Sequence, residues 1–240
     1  MIAVILAAGV STRLRPLTDT IPKSLLPLGG TPLLRRTLEA LRFHSIEHTI
    51  IVTGYLREVL EGSVEEWKTG MQVQFTFNPH FASTNNNYSL WTARASAADH
   101  DLLLLDADIL FDRRIVGTLL QSPHHNALVM RRSPSLGEEE IKIELDTWGR
   151  VTKIGKDVDA RRAVGESVGI EKFSRATAAR LFETLDRRKH LNEFYEASFQ
   201  DMIERGTEIY AVESGAYTCI EIDTPEDLRN AEILAGALKP

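Results

Sequence analysis

A short basic loop near the start of the chain has the residue types that bind phosphate. Four small or apolar residues follow directly on an apolar run, and two cations come after them: Leu6, Ala7, Ala8 and Gly9, then Arg13 and Lys23. Small residues let backbone N–H groups approach phosphate oxygens, and two cations can neutralise a phosphoryl-transfer transition state. The spacing matches neither GxxxxGK[ST] nor GxGxxG, so it does not indicate the common ATPase or dinucleotide loops. On composition alone, an ordinary surface loop with two paired cations explains the segment equally well.

Two acidic pairs lie much later in the chain, each at the end of an apolar run. Asp106 and Asp108 form the first pair, and Glu221 and Asp223 the second. An isolated Asp-x-Asp is more often a turn or a helix cap than a metal site. Magnesium, however, takes one or two carboxylates together with phosphate oxygens and water. If the two pairs meet beside the basic loop, a magnesium site is the better interpretation.

A polar segment between these motifs could contact a base or a ribose. Asn85, Asn86 and Ser89 offer amide and hydroxyl groups at what we expect to be the start of a helix. The same side chains could equally serve as helix caps.

Alternating apolar runs and amphipathic stretches predict the elements that position these residues. We expect strands at 2–6, 48–53, 73–78, 102–105, 141–145, 150–154, 164–173, 207–212 and 217–222. We expect helices at 31–43, 56–68, 88–98, 174–185 and 192–204, and from 224 onward; Thr31 and Pro32 would open the first and Thr224 the last. Repeated β–α–β units predict a three-layer αβα sandwich with a mostly parallel, Rossmann-like sheet, whose ligands bind beyond the carboxyl ends of its strands. The chain reads as one domain, 1–240, in which a hairpin region at about 133–173 forms a lid.

The composition of the 240-residue chain excludes several classes of protein. It is 43% hydrophobic and 26% charged, with a formal net charge of −6, so no overall field attracts nucleic acid or an anionic membrane. The single cysteine, Cys219, excludes an intrachain disulfide. No run approaches the roughly 18 apolar residues of a membrane span, and the apolar start lacks the basic region of a signal peptide. We therefore expect a soluble, cytoplasmic protein, with its oligomeric state open between monomer and homodimer.

The loop motif resembles a known family. Leu-Ala-Ala-Gly-x-x-x-Arg-Leu, followed by Pro-Lys-Ser-Leu at 22–25, is similar to the N-terminal motif of the sugar-phosphate nucleotidyltransferase superfamily. The resemblance implies that the loop residues contact the nucleotide, that Arg13 holds the triphosphate and that Lys23 lies against the reacting phosphates. It also implies that Asp108 and Asp223 bind Mg²⁺, with Asp106 beside them as a further participant.

A second resemblance concerns the substrates. Asn-Asn-x-Tyr-Ser-Leu at 85–90 is similar to the phosphocholine cytidylyltransferases of bacterial surface polymers and their phosphonate-handling relatives, as are 165–170, 194–196 and 221–224. This implies CTP as the nucleotide and a small phosphorylated or phosphonylated amino alcohol as the acceptor. Alternatives are a sugar-1-phosphate or inositol-1-phosphate nucleotidyltransferase and an inactive nucleotide-binding regulator.

For the acceptor we expect carboxylates and an aromatic ring around its ammonium group, and a lysine on its phosphate. The candidates are Glu166, Tyr195 and Glu196 for the former, and Lys142 and Lys153 for the latter. A solvated helix face explains Glu196 as well. Lys142 stands where a choline pocket would have an aromatic residue, which favours a primary amine such as 2-aminoethylphosphonate over phosphocholine.

Overall fold

The first strand, β1 (Ile2–Ala7), lies in the middle of the sheet with all six of its residues buried. Val4 and Leu6 pack into one apolar cluster, and Ala3 and Ile5 pack into another. Because successive side chains of a strand point to opposite faces, a strand that is apolar throughout needs cover on both sides. Helices supply that cover, so the fold has three layers.

The structure is a computed structural model that describes residues 1–133 and 136–238. The strands after β1 are β2 (Pro27–Leu28), β3 (Thr31–Pro32), β4 (His48–Thr53), β5 (Gln72–Phe77), β6 (Leu102–Asp106), β7 (Ile109–Phe111), β8 (Ala127–Arg131), β9 (Lys142–Leu145), β10 (Val151–Gly155), β11 (Gly165–Phe173), β12 (Tyr210–Glu213) and β13 (Cys219–Glu221). The helices are α1 (Leu33–Phe43), α2 (Arg57–Glu66), α3 (Asn86–Thr92), α4 (Arg94–Ala97), α5 (Arg114–Gln121), α6 (Arg175–Arg188), α7 (Glu196–Glu204) and α8 (Pro225–Ala235).

The central sheet has the strand order β10-β9-β11-β6-β1-β4-β5, and β8 joins it through β11 and carries β12. Strands β6, β1, β4 and β5 are parallel, whereas β11 runs antiparallel to β6. The predicted α/β sandwich with a mostly parallel core is confirmed. As predicted, β1 and β6 end at the same edge, since Leu6 is paired with Asp106.

Helices cover both faces of the sheet. Buried residues of α1, α2 and α5 join the cluster on one face, and those of α3, α6 and α7 join the cluster on the other. A third, smaller cluster lies under α8 and contains Leu14 and Leu26 from the basic loop together with Ile222. It fixes the loop against the end of β13. Within the described residues, no helix is both long and apolar enough to cross a membrane.

The predicted opening of α1 at Thr31 and Pro32 is wrong. These two residues form β3, which pairs with β2 across a turn at Gly29 and Gly30. Both glycines have positive φ, 57° and 79°, the conformation that a two-residue hairpin turn requires. The helix therefore begins at Leu33 with no side-chain cap.

Other boundaries also differ from those predicted. Three elements between 109 and 121 and at 127–131 were not predicted, and the helix expected at 88–98 is divided into α3 and α4. The helix expected from 192 begins only at Glu196, and the backbone N–H of Tyr195, the N-cap, donates to Asn86 Oδ1. The caps at Ser174 and Thr224 are confirmed by their side-chain hydrogen bonds.

The hairpin expected within 133–173 is present as β9 and β10. It continues the main sheet through β11 and is not a separate body. Residues 134 and 135 of the proposed lid lie outside the described part of the chain. A lid function for this region stays a prediction.

Candidate active site

The basic loop borders a cavity of about 390 Å³ at the carboxyl edge of the parallel strands, here called the loop cavity. Every residue predicted to bind nucleotide or metal, or to act in the chemistry, lines it: Leu6, Ala7, Ala8, Gly9, Arg13, Lys23, Asn85, Asn86, Ser89, Asp106, Asp108 and Asp223. A Cβ added at Gly9 would meet no atom within 4 Å, so the backbone faces open space there. The fold thus gathers segments as far apart in the chain as Arg13 and Asp223, which are 210 positions apart, around one cavity.

The last strands bring the two acidic pairs together. β7 and β13 form a two-stranded antiparallel sheet in which Ile109 is paired with Glu221, and the N–H of Ile222 donates to the carbonyl of Asp108 at 3.0 Å. Ligand atoms of Asp108, Glu221 and Asp223 lie within 4.8 Å of one another. Three carboxylates at this spacing suit a hard divalent cation such as Mg²⁺. The third member is Glu221, and Asp106 is not in this cluster.

Both predicted phosphate-binding cations contact the same carboxylates. Lys23 Nζ lies 2.8 Å from Asp108 Oδ2 and 2.7 Å from Asp223 Oδ1. Arg13 reaches Asp223 Oδ2 at 2.6 Å. A short 3₁₀ helix, Lys23–Leu25, directs the lysine, and another, Thr12–Leu14, carries the arginine.

Burial and neighbouring charges shift the pKa values of this group in opposite directions. Burial alone would lower the pKa of Lys23, but Asp108 and Asp223 outweigh it and raise that pKa, so the amine stays charged. Burial opposes ionisation of Asp223, yet Lys23 and Arg13 hold its pKa below the usual value. Burial, with the charges of Asp108 and Asp223, raises the pKa of Glu221 to about 8. An added cation would bring Glu221 into its charged form.

The polar segment at the start of α3 is only partly free to contact a ligand. Asn85 is the N-cap and accepts from the N–H of Asn86 at 2.9 Å, as the capping alternative predicted. Asn86 Oδ1 accepts from the N–H of Tyr195, and Ser89 Oγ accepts from the amide of Asn78 at 3.0 Å. These side chains are held rigidly at the cavity wall, and nucleotide binding by them stays a prediction.

Asp106 is held by a buried tyrosine. The hydroxyl of Tyr195, which has no exposed surface, donates to Asp106 Oδ2 at 2.8 Å. Burial, with the charges of Asp108, Glu171 and Glu196, raises the pKa of Asp106 well above its usual value, although the tyrosine bond opposes this. Gly169 leaves room for the carboxylate: its φ is +69°, and a Cβ there would come within 2.5 Å of Asp106 Oδ2.

A second cavity of about 490 Å³, here called the helix cavity, lies between α7 and the β9–β10 hairpin. Phe194 lines both cavities, so they are neighbours. Acidic residues outnumber basic ones in the lining: Asp157, Glu193, Glu196, Asp201 and Glu204 against Lys156 and Arg188. Glu193 is paired with Arg188 and Asp201 with Arg205, so the carboxylates without a salt bridge among the described residues are Asp157, Glu196 and Glu204. These three suit a ligand with a positive group.

Glu196 is the residue of this lining whose charge is least satisfied. It is 4% exposed, and its Oε2 has no hydrogen-bond partner. Burial raises its pKa to about 7, against the opposing effects of its own backbone N–H and of Lys156. Glu171, behind it on β11, is fully buried and also has an unpartnered oxygen, and burial raises its pKa as well. A cationic ligand would stabilise the charged form of Glu196.

The structure places the other four predicted acceptor residues away from both cavities. Tyr195 is fully buried and offers no ring face to a ligand. Lys142 is buried, and its Nζ donates to the carbonyls of Gly137 and Glu140. Lys153 is exposed on β10, and Glu166 is paired with Arg131 at 2.9 Å.

Each of these four placements has a physical reason. Lys142 and Glu166 are cross-strand partners in β9 and β11 and satisfy their charges locally. Lys153 is on the solvent side of the edge strand. Tyr195 is buried, and its hydroxyl donates a hydrogen bond to Asp106. None of the four side chains lines either cavity, so this arrangement does not favour direct contact between them and an acceptor.

A family profile described as the MobA-like NTP transferase domain matches residues 3–198 of the chain. This range contains the basic loop, Lys23 and both aspartates after β6, whereas Asp223 lies beyond it. The chain belongs to this family. The nucleotidyltransferase family expected from the loop motif is confirmed, and the protein is a nucleotidyltransferase.

Family relatives share the sequence over most of its length. The CMP-5'-(3-aminopropyl)phosphonate synthase of Streptomyces rubellomurinus is 29% identical over 243 residues, which cover 96% of this chain and 38% of that protein. The choline-phosphate cytidylyltransferase of Streptococcus pneumoniae is 29% identical over 236 residues, which cover 97% of each. This chain thus spans well under half of the first relative and nearly all of the second.

A solved structure shows the same family fold. The inositol-1-phosphate CTP transferase from T. maritima superposes with a TM-score of 0.83 over 98% of this chain and 94% of that one, at 20% identity. At that identity the likeness supports the fold and not the substrate.

Sequence reasoning gave no role to two residues that matter to the geometry of the site. Phe194 lines both cavities; it lay in the 194–196 segment that carried the family resemblance, but only Tyr195 and Glu196 were named there as candidates. Glu171 lies in a strand that reads as ordinary alternation, so nothing in its local sequence marked a buried carboxylate.

Proposed function

We propose that the protein is a CTP-dependent cytidylyltransferase whose acceptor carries a phosphate or phosphonate at one end and an amine at the other. The observation that carries the proposal is Glu196, which lines an acidic cavity that adjoins the loop cavity at Phe194 and whose buried Oε2 has no hydrogen-bond partner among the described residues. A buried carboxylate without a partner is unfavourable unless a ligand supplies one. The names of the two relatives support a cationic group on the acceptor, since one contains an aminopropyl phosphonate, with a primary amine, and the other contains choline phosphate, with a quaternary ammonium.

The reaction is a direct displacement. An oxygen of the acceptor phosphate attacks the α-phosphorus of CTP, the bond from the α-phosphorus to the bridging oxygen breaks, and pyrophosphate leaves with the electron pair. The attacking oxygen needs no general base, because the second pKa of a phosphate monoester is about 6. Arg13 and Lys23 neutralise charge on the phosphates, and the cavity walls position the two substrates.

The carboxylates of Asp108, Glu221 and Asp223 fit a Mg²⁺ ion by donor type and spacing. When bound, the ion would supply positive charge beside the phosphates and help orient them. Asp106 is held away from this cluster by Tyr195 and forms the wall beneath the substrates.

The helix cavity favours a primary amine over a trimethylammonium group. Glu196 and the other carboxylates of the lining can accept directed N–H hydrogen bonds from a primary ammonium, which a quaternary group cannot donate. Quaternary ammonium groups are recognised by cages of aromatic rings. Phe194 is the one aromatic side chain among the lining residues of the helix cavity, and Lys156 already lies 4.6 Å from its ring centre.

The test is pyrophosphate release from CTP, UTP, dTTP and ATP with a panel of acceptors. We expect CTP to be preferred, with kcat/KM for 2-aminoethylphosphonate and phosphoethanolamine at least equal to that for phosphocholine and well above that for glucose-1-phosphate or inositol-1-phosphate. A preference for either sugar or polyol phosphate would overturn the amine acceptor. Absence of pyrophosphate release with every pair would instead support the nucleotide-binding regulator.

A further inference from the structure

The site pairs its own cations with the carboxylates that suit a divalent metal. Lys23 bridges Asp108 and Asp223 with contacts of 2.8 and 2.7 Å, and Arg13 takes the remaining oxygen of Asp223 at 2.6 Å. Both oxygens of Asp223 are therefore occupied by protein cations. A metal ion that takes an oxygen from this residue must either share it with a protein cation at close range or displace that cation.

Displacement by a metal alone is unfavourable for Lys23 in particular. Its side chain is only 10% exposed, so an ammonium pushed off the two carboxylates has little access to water. Arg13 is 59% exposed and can be solvated more easily. A divalent ion placed beside both cations would also be repelled by them at short range. Buried charge without a partner is the largest unfavourable contribution.

A nucleoside triphosphate removes this obstacle because it brings its own negative charges into the loop cavity. Its phosphate oxygens offer Lys23 and Arg13 new partners, which frees Asp108 and Asp223 to bind metal. We propose that Lys23 acts as an internal competitor for the metal position, so that divalent cation and nucleotide bind with strong mutual cooperativity. The proposal rests on the metal role of Asp108 and Asp223 and is independent of which acceptor is used.

The coupling must be reciprocal. If nucleotide tightens the binding of the metal by some factor, the metal tightens the binding of nucleotide by the same factor. Removing the lysine should therefore raise metal affinity in the absence of nucleotide, even though the same change lowers turnover. A residue that only stabilised phosphates would leave the affinity for metal alone unchanged.

Binding of Mn²⁺ to the full chain, followed by electron paramagnetic resonance, tests the proposal. For the wild type we expect weak binding without nucleotide and at least a roughly 10-fold tightening with CTP, after subtraction of Mn²⁺ bound by CTP itself. Lys23→Met should bind Mn²⁺ alone about 10-fold more tightly than the wild type, and CTP should tighten its binding of Mn²⁺ less than it does for the wild type. Asp108→Asn in the Lys23→Met background should abolish the gain.

Two further variants keep the test informative. Arg13→Met relieves only one contact of an exposed side chain, so it should fold normally and give a smaller gain in Mn²⁺ affinity. Arg15→Met is the matched control, since it removes the same charge from the same loop, where Arg15 is paired with Asp19 at 3.3 Å. It should bind Mn²⁺ like the wild type.

Equal Mn²⁺ affinity in the wild type, Lys23→Met and Arg13→Met would overturn the proposal, as would a wild-type affinity that CTP does not change. Failure of the proposed function looks different. In that case the acceptor panel gives no amine preference while the coupling between Mn²⁺ and CTP persists.

Discussion

The two neighbouring cavities balance charge in opposite ways. In the loop cavity, Lys23 and Arg13 are already paired with Asp108 and Asp223, so a ligand must exchange partners with the protein. In the helix cavity, carboxylates are in excess and Glu196 has an oxygen without a partner. A ligand there supplies what is missing. The loop cavity therefore favours ligands that bring negative and positive charges together, such as a nucleotide with a metal ion. The helix cavity favours a ligand with a single cationic group.

The largest expected effect comes from breaking the paired arrangement in the loop cavity. Asp223→Asn removes a charge that both cations share, so we expect kcat to fall by at least about 10²-fold, the scale of losing one charged contact in the transition state. Steady-state pyrophosphate release at several Mg²⁺ concentrations measures it. Asp19→Asn, an exposed aspartate paired with Arg15 in the same loop, is the control and should keep normal turnover. If Asp223→Asn keeps wild-type activity at low Mg²⁺, Asp223 does not bind the metal and has only a structural role beside Thr224, the N-cap of α8.

The second test separates charge from packing in the same cavity. Lys23→Ala should lower kcat by roughly 10²-fold while the fold is retained, because a phosphate contact is lost in the transition state. Lys68→Ala, an exposed lysine after α2, is a control for loss of a positive charge. Near-normal turnover in a folded Lys23→Ala protein would remove Lys23 from the chemistry and would leave only its proposed competition with the metal.

The helix cavity is tested by Glu196→Gln. The amide keeps the shape and loses the charge, so we expect KM for an amine acceptor to rise about 10-fold, as for the loss of one charge-assisted hydrogen bond, with KM for CTP unchanged. In the wild type the KM for the acceptor should rise as pH falls below about 7, where Glu196 becomes protonated. The variant should lose that part of the pH profile. Equal KM values across pH in both proteins would show that Glu196 does not bind the amine.

The same residue predicts an effect on stability. Because burial raises the pKa of Glu196 to about 7, the folded protein holds a proton that the unfolded chain releases above about 4.5. This contribution to stability is present at low pH and is lost as pH rises towards 7. Glu196→Gln should thus be more stable than the wild type at pH 8, by up to about 3 kcal/mol at about 1.4 kcal/mol per pH unit. Urea unfolding at pH 4 and pH 8 measures it, and a gap that is equal at both would contradict the assignment.

The smallest effect concerns the packing of Gly169 against Asp106, which lines the loop cavity. Gly169→Ala combines a positive φ with a close approach to Asp106, so it should lower stability by roughly 1–3 kcal/mol and reduce turnover several-fold. Gly149→Ala has a similar φ of +81° but open space around its Cβ, so it isolates the backbone contribution. Thermal unfolding of both proteins distinguishes them. If the two variants lose equal stability and keep equal turnover, the position of Asp106 does not depend on Gly169.

The contrast between the cavities also explains what could be predicted from the sequence. The loop cavity is made by residues at the ends of parallel strands, and the topology of such strands brings those ends to one edge whatever the details of packing. That is why Arg13, Lys23, Asp108 and Asp223 could be grouped correctly although they are far apart in the chain. The carboxylate cluster has Glu221 as its third member, where Asp106 was expected, because the pairing of β7 with β13 brings Glu221 beside Asp108.

The lining of the helix cavity does not follow from the topology of the sheet in this way. Its lining depends on how α7 packs against a hairpin, and side-chain direction there depends on contacts between distant segments. Lys142 and Glu166 look like free charges in the sequence, but they lie opposite each other on β9 and β11. Lys142 donates to backbone carbonyls, and Glu166 is paired with Arg131. Tyr195 was expected to contact the acceptor but is fully buried, with its hydroxyl on Asp106. Of the five predicted acceptor residues, Glu196 lines the helix cavity; acceptor binding by it stays a prediction, and its unpartnered oxygen becomes visible only in three dimensions.

The bond from Lys23 to Asp223 has a consequence for synthesis of the chain. Strands β1, β4, β5 and β6 can pair as soon as about 110 residues have left the ribosome, whereas Asp223 is translated 200 residues after its lysine partner. During that interval Arg13 lacks its partner Asp223, and Lys23 has only Asp108 of its two partners, next to a nearly finished phosphate-binding loop. Such an intermediate should attract free nucleotide or other polyanions before it can hold a metal ion. Translation itself would then set the order in which this enzyme first meets its ligands.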